Sequence, residues 1–140
     1  MEILCSGLNE LETVAARIFD FGKDYRIWLL KGEIGAGKTT FVHSLARHIG
    51  IADKVSSPSF GIINEYRSPQ GAAFFHFDLF RINDPQEILD LGFYEYVDSN
   101  NYCFIEWPEM IENLPIGPYI EVSIKWSGQD SRIFNVNVHD

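Results

Sequence analysis

The chain has 140 residues, of which 46% are hydrophobic and 22% charged, and its formal net charge is −9. This is the make-up of one ordinary globular domain, read as residues 1–140, and it needs no disulfide or structural metal to bury a core. No apolar run approaches the roughly 20 residues of a membrane span, and so acidic a surface with no basic cluster repels nucleic-acid backbones, so that any nucleic acid would have to be held by another subunit.

The start, Met1-Glu2-Ile3-Leu4-Cys5, has neither the basic leader nor the apolar stretch of a signal peptide, and a cytoplasmic location is expected. Leu8, Leu11, Val14, Ala15, Ile18 and Phe19 recur at helical spacing, which predicts an amphipathic helix over 9–21, with Asn9 and Glu12 as a capping box and Gly22 at its end. Residues 26–30 form a short apolar run and read as a buried strand. A Gly-rich stretch follows at 32–37, and then Phe41, Val42, Leu45, Ala46 and Ile49 trace a second helix closed by Gly50. Residues 60–66 and 73–78 read as strands joined through Pro69-Gln70-Gly71. Asp84-Pro85-Gln86-Glu87 is a helix start, and Gly92 keeps that helix short. Strands over 102–106, 119–126 and 133–138 complete the chain. Cys103 falls inside one of them, and neither it nor Cys5 has a second Cys at metal-ligand spacing, so both read as free thiols. The order is mixed α/β, with a mainly parallel central sheet flanked by helices and an additional antiparallel part.

Chemistry enters at Gly32-Glu33-Ile34-Gly35-Ala36-Gly37-Lys38-Thr39, a complete G-x-x-x-x-G-K-[ST] phosphate loop (P-loop) between a predicted strand and a predicted helix. The glycines let backbone N–H groups turn inward. Lys38 offers a cation to terminal phosphates, Thr39 offers a hydroxyl to Mg²⁺, and the helix N-terminus favours an anion. Hydrolysis at such a loop needs carboxylates. Two apolar runs end in one, at Asp78 and at Glu106. The carboxyl end of a buried strand is the edge at which open α/β sheets bind ligands, and a charge placed there is costly unless it is paired or metal-bound. His76 shares a strand face with Asp78, either as a hydrogen-bonded structural histidine or as a member of the site. The hydroxyl-rich loop 55–60 is either a nucleotide-sensing switch or a plain turn. Trp107 either stacks on a base or packs.

Several segments together resemble the bacterial TsaE (YjeE) family of ATPases, required for threonylcarbamoyladenosine on tRNA. They are 32–41, Ser57-Pro58-Ser59-Phe60, Glu65-Tyr66, His76-Phe77-Asp78-Leu79-Phe80-Arg81 and Ile105-Glu106-Trp107-Pro108-Glu109. The resemblance implies a P-loop NTPase-like fold with ATP and Mg²⁺ as cofactors. Glu33, Gly35, Ala36, Gly37, Lys38, Thr39 and Thr40 would contact the nucleotide, with Trp107 near the base and Arg132 as a further candidate. Thr39 and Glu106 would hold the metal, Asp78, Glu106 and Lys38 would serve catalysis, and residues 57–60 would be the switch. The implied partner is a complex of TsaB and TsaD, acted on in place of tRNA itself. Ser59 stands where the family usually has Thr, and Phe80 where it usually has Tyr. The competing classes are a small P-loop kinase, against which the scattered arginines speak, and a nucleotide-sensing module without useful turnover. A GTPase would need Asn-Lys-x-Asp and Asp-x-x-Gly motifs, which the sequence lacks.

Overall fold

Apolar runs such as 27–30 and 103–105 need cover on both faces, and a layered sheet supplies it. The computed structural model describes residues 1–51, 53–54 and 62–140. Its strands are β1 (Glu2–Cys5), β2 (Ile27–Lys31), β3 (Asp53–Lys54), β4 (Ile63–Arg67), β5 (Ala73–Asp78), β6 (Tyr102–Glu106), β7 (Tyr119–Trp126) and β8 (Arg132–His139). The helices are α1 (Leu8–Gly22), α2 (Lys38–Ile49), α3 (Pro85–Asp90) and α4 (Phe93–Val97), with a 3₁₀ turn at Pro108–Ile111. The strands form one eight-stranded sheet in the order β1-β8-β7-β2-β6-β5-β4-β3.

The four central strands β7, β2, β6 and β5 pair in parallel, and two antiparallel strands flank them on each side. The parallel character expected of the sheet therefore belongs to its centre. The outer pairs β4–β5 and β7–β8 are joined by turns closed through Ser68 and Ala72, and through Ser127 and Ser131. Links that short permit only antiparallel pairing.

Alternation along the central strands divides the core. Trp28, Leu30, Phe74, Phe104 and Val122 face α1 and α2. Ile27, Leu29, Phe75, Phe77 and Ile105 face α3, α4 and the 3₁₀ turn. Helix α1 starts at Leu8 behind Gly7 with no side-chain cap, so the Asn9–Glu12 box does not form. Glu10 instead accepts from the Ser6 N–H at 2.7 Å, and Glu12 accepts from Arg47 of α2 at 2.8 Å. Asp84 does cap α3, accepting from Gln86 N at 3.0 Å. Burial pushes the Cys103 thiol up to about 12, as an inert core thiol requires. Among the described residues no helix is long and apolar enough to cross a membrane.

Gly22 marks where α1 presses hardest on the sheet. A Cβ there would lie 2.4 Å from Ile120 Cδ1 and 2.9 Å from Trp28 Cζ2. Alanine's helical advantage is about 1 kcal/mol, whereas overpacking against a rigid, fully buried indole costs about 1–3 kcal/mol. Gly22→Ala should therefore lower the urea midpoint. A midpoint at or above that of the parent protein would show that the crevice opens freely.

Candidate functional site

The loop 32–37 leaves the C-terminal end of β2 and runs into α2, whose N-cap is Gly37 at φ 103°, in the left-handed region that favours glycine. No side chain caps α2, so its first N–H groups are left for a ligand. The strand register then brings in the acids. β5 and β6 are parallel with Asp78 opposite Glu106, and β2 places Leu30 opposite Glu106 on the other side. Both carboxylates thus end neighbouring strands beside the loop, on the face covered by α2.

A pocket of about 400 Å³ joins them. Gly35, Gly37, Lys38, Thr39, Thr40, Asp78, Glu106, Trp107 and Arg132 all line it, together with Ile34 and Phe80. Of the nucleotide set read from the sequence, Glu33 and Ala36 lie elsewhere. They line a larger neighbouring groove of about 940 Å³ with Trp107, Glu109 and Trp126, which contains none of Lys38, Thr39, Asp78 and Glu106. The larger space is therefore not where Lys38, Thr39, Asp78 and Glu106 converge.

Glu106 is 3% exposed. Its Oε2 accepts from Thr39 Oγ1 at 2.8 Å and from His76 Nε2. Burial pushes the Glu106 carboxyl up, but the bond and charge of His76, the Thr39 hydroxyl and the Lys38 charge together outweigh it and hold the group below its ordinary value. Lys38, 5% exposed, donates to the Gly32 carbonyl. Burial pushes its ammonium down, against the pull of Glu106, Glu109 and Asp78. Its Nζ lies 3.2 Å from the centroid of the Trp107 ring, and that ring packs on Phe80 at 4.9 Å. Trp107 reaches this position with φ 57°, a conformation costing about 1–2 kcal/mol for a non-glycine residue. The contact with the buried cation offsets that cost. Arg132 donates from Nε to the Ala36 carbonyl at 2.7 Å and lies over Trp126 at 3.8 Å, so it clamps the loop from β8. Asp78 is half-buried, and its Oδ1 accepts from Phe80 N at 3.1 Å.

Thr39, Glu106 and Asp78 offer hard oxygen donors on one side of the pocket. Among the described residues no cluster of three or more His, Cys, Asp or Glu could hold an ion. This donor set suits Mg²⁺, which is usually held by one or two carboxylates plus substrate phosphates. The family resemblance implies that the segment before residue 26 contributes to the base pocket, without assigning it residue by residue. The structure brings Cys5, Gly7, Leu8 and Leu11 against Gly37, Thr40 and Arg132 in a small crevice beside the pocket. No local pattern marks these residues, because Leu8 and Leu11 fall on the apolar stripe of the expected helix. Residues 55–60, read as a switch or a turn, lie outside the described residues.

Fold and site together define an α/β protein with an anion-receptive loop between its central strand and a helix. The family model described as "Threonylcarbamoyl adenosine biosynthesis protein TsaE" matches residues 5–134, and the chain belongs to that family. It is 37% identical over 112 residues to the tRNA threonylcarbamoyladenosine biosynthesis protein TsaE of Rickettsia prowazekii, covering 79% of this chain and 76% of that one. It is 36% identical over 124 residues to the protein of the same name from Bacillus subtilis, covering 89% and 77%. The crystal structure of Bacillus subtilis YdiB superposes with a TM-score of 0.73 at 26% identity, over 99% of this chain and 84% of that one.

Proposed function

We propose that this chain is a P-loop NTPase-like ATPase that binds Mg²⁺ and ATP in the 400 Å³ pocket and serves threonylcarbamoyladenosine modification of tRNA. The observation that carries this reading is the convergence of Lys38, Thr39, Asp78 and Glu106 on one pocket at the uncapped start of α2. The phosphates lie along the loop N–H groups, and Lys38 exchanges the Gly32 carbonyl for terminal phosphate oxygens. Thr39 and Glu106 hold the metal, which when bound neutralises charge on the phosphate oxygens. Asp78, at the mouth of the pocket, orients the attacking water. Trp107 sits at the phosphate end, on Lys38, so the base takes the other end of the pocket, beside Arg132. Arg132 is occupied with the loop carbonyl of Ala36 and with Trp126, in place of forming a mobile arginine lid, which favours hydrolysis over transfer to a small acceptor.

The net charge of −9 argues against bare tRNA as the partner, and the family resemblance points to a TsaB–TsaD-like protein complex in its place. Calorimetry with ATP should show binding that Mg²⁺ alters, and phosphate release should be slow for the isolated protein and rise when the complex is added. tRNA alone should leave the rate unchanged. Stimulation by tRNA alone at moderate salt counts against the partner assignment, and no ATP binding under any condition ends the proposal. A sensing module without useful turnover would bind ATP equally well but show no rise with the complex.

A further inference from the structure

We infer that His76 is the positioning residue for Glu106, fixing the carboxylate so that one oxygen faces the metal side of the pocket; the inference rests on the Mg²⁺·ATP reading above. β5 reads Ala73-Phe74-Phe75-His76-Phe77-Asp78, with phenylalanine at every other fully covered position. His76 is 4% exposed, on the strand face it shares with the buried Phe74. Burying an imidazole in such surroundings costs free energy unless its polar atoms are engaged. What engages it is Glu106, through Nε2 to Oε2. Thr39 donates to that same oxygen at 2.8 Å. Two donors therefore converge on Oε2, and Oε1 takes no hydrogen bond from the described residues. The carboxylate is held by one oxygen, leaving the other to the pocket that Glu106 lines.

The far side of the ring is open in a telling way. Nδ1 of His76 is buried with no partner among the described residues, and so is Oδ1 of Asn64. These two residues face each other in register across β4 and β5. The line His76–Glu106–Thr39 runs from β5 through β6 to the start of α2. Groups that orient a metal ligand matter through the ligand, and their loss typically weakens metal affinity or activity by about 10–100-fold.

Reach supplies the test. In His76→Gln the side-chain amide extends to where Nε2 lies and can still donate to Glu106, whereas in His76→Asn it stops short. Both variants stay polar and smaller than a phenylalanine, so neither overpacks the core. Three quantities should be measured for each: thermal midpoint, ATP affinity in chelator, and the Mg²⁺ concentration that half-maximally changes ATP affinity by calorimetry. His76→Asn should leave metal-free ATP affinity within about twofold and raise the half-saturating Mg²⁺ by about 10–100-fold, and His76→Gln should restore most of that loss. Equal Mg²⁺ dependence in the two variants, whether intact or lost, overturns the positioning role. A parent protein whose ATP affinity does not respond to Mg²⁺ overturns the underlying reading instead.

Discussion

Replacing Lys38 with alanine should weaken ATP binding by about 10- to 150-fold, the equivalent of the 1.5–3 kcal/mol of a hydrogen bond to a charged group. The loss has two parts. The cation itself disappears from the terminal phosphates. Glu106, Glu109 and Asp78, whose charges all act on Lys38, then face the incoming phosphates without it. Stability should change far less. Folding disfavours the charged form of this lysine, because burial holds its ammonium below the ordinary lysine value. Removing it relieves that burden but also takes the cation from the Trp107 ring and from Glu106, so the opposing effects should leave the thermal midpoint nearly unmoved while binding collapses. Isothermal calorimetry with a circular-dichroism melt on the same sample distinguishes the outcomes. Unchanged ATP affinity in a folded variant removes Lys38 from the site and with it the nucleotide assignment.

Why Lys38 and its loop were legible in the sequence is a matter of locality. Anion binding by a loop uses consecutive backbone N–H groups, so the requirement is written in eight consecutive residues, 32–39. The acids were legible for a related reason. Asp78 and Glu106 each end an apolar run, and the structure ends β5 and β6 on those residues. What sequence could not give is that they stand opposite each other, because that follows from the register of two strands 24 residues apart at their nearest ends (Asp78 to Tyr102). β1 went unread for the same reason. Its Glu2 and Leu4 are exposed and only Ile3 and Cys5 are buried, and its partner is β8, at the far end of the chain. α4, Phe-Tyr-Glu-Tyr-Val, is built from residues with strand preference and is held helical by packing Phe93 and Val97 into the core. Arg132 was a candidate for nucleotide contact. Its hold on the Ala36 carbonyl spans 96 residues, which no local pattern encodes.

The two acids should separate under mutation. Glu106 is buried, and its Oε2 is shared by Thr39 and His76, whereas Asp78 is half-buried and, among the described residues, its carboxylate accepts only from the Phe80 N–H. On the proposed reading Glu106→Ala strips a metal donor, and it leaves the buried His76 Nε2 without its partner. The half-saturating Mg²⁺ for hydrolysis should rise by at least the 10- to 100-fold typical of losing even an outer-shell partner. Stability should fall by about 1–3 kcal/mol for the polar group left unpaired. Glu106→Gln keeps the volume and an acceptor oxygen, so it should recover much of the stability without recovering the Mg²⁺ dependence. Asp78→Ala leaves Thr39, His76 and Glu106 in place. Its turnover with the partner complex present should fall by about 10²–10⁴-fold, the range for a positioned proton-handling group, while ATP affinity stays near that of the parent protein. It could tighten slightly, since a carboxylate beside the phosphates has been removed. A loss confined to turnover is the mark of an interaction made in the transition state. If Asp78→Ala turns over normally, Asp78 is no more than the residue that caps the Phe80 turn. If instead Glu106→Ala keeps its Mg²⁺ dependence and Asp78→Ala loses it, the roles are exchanged. The metal would then sit beside Asp78, and the buried Glu106–His76 pair would be a scaffold behind it.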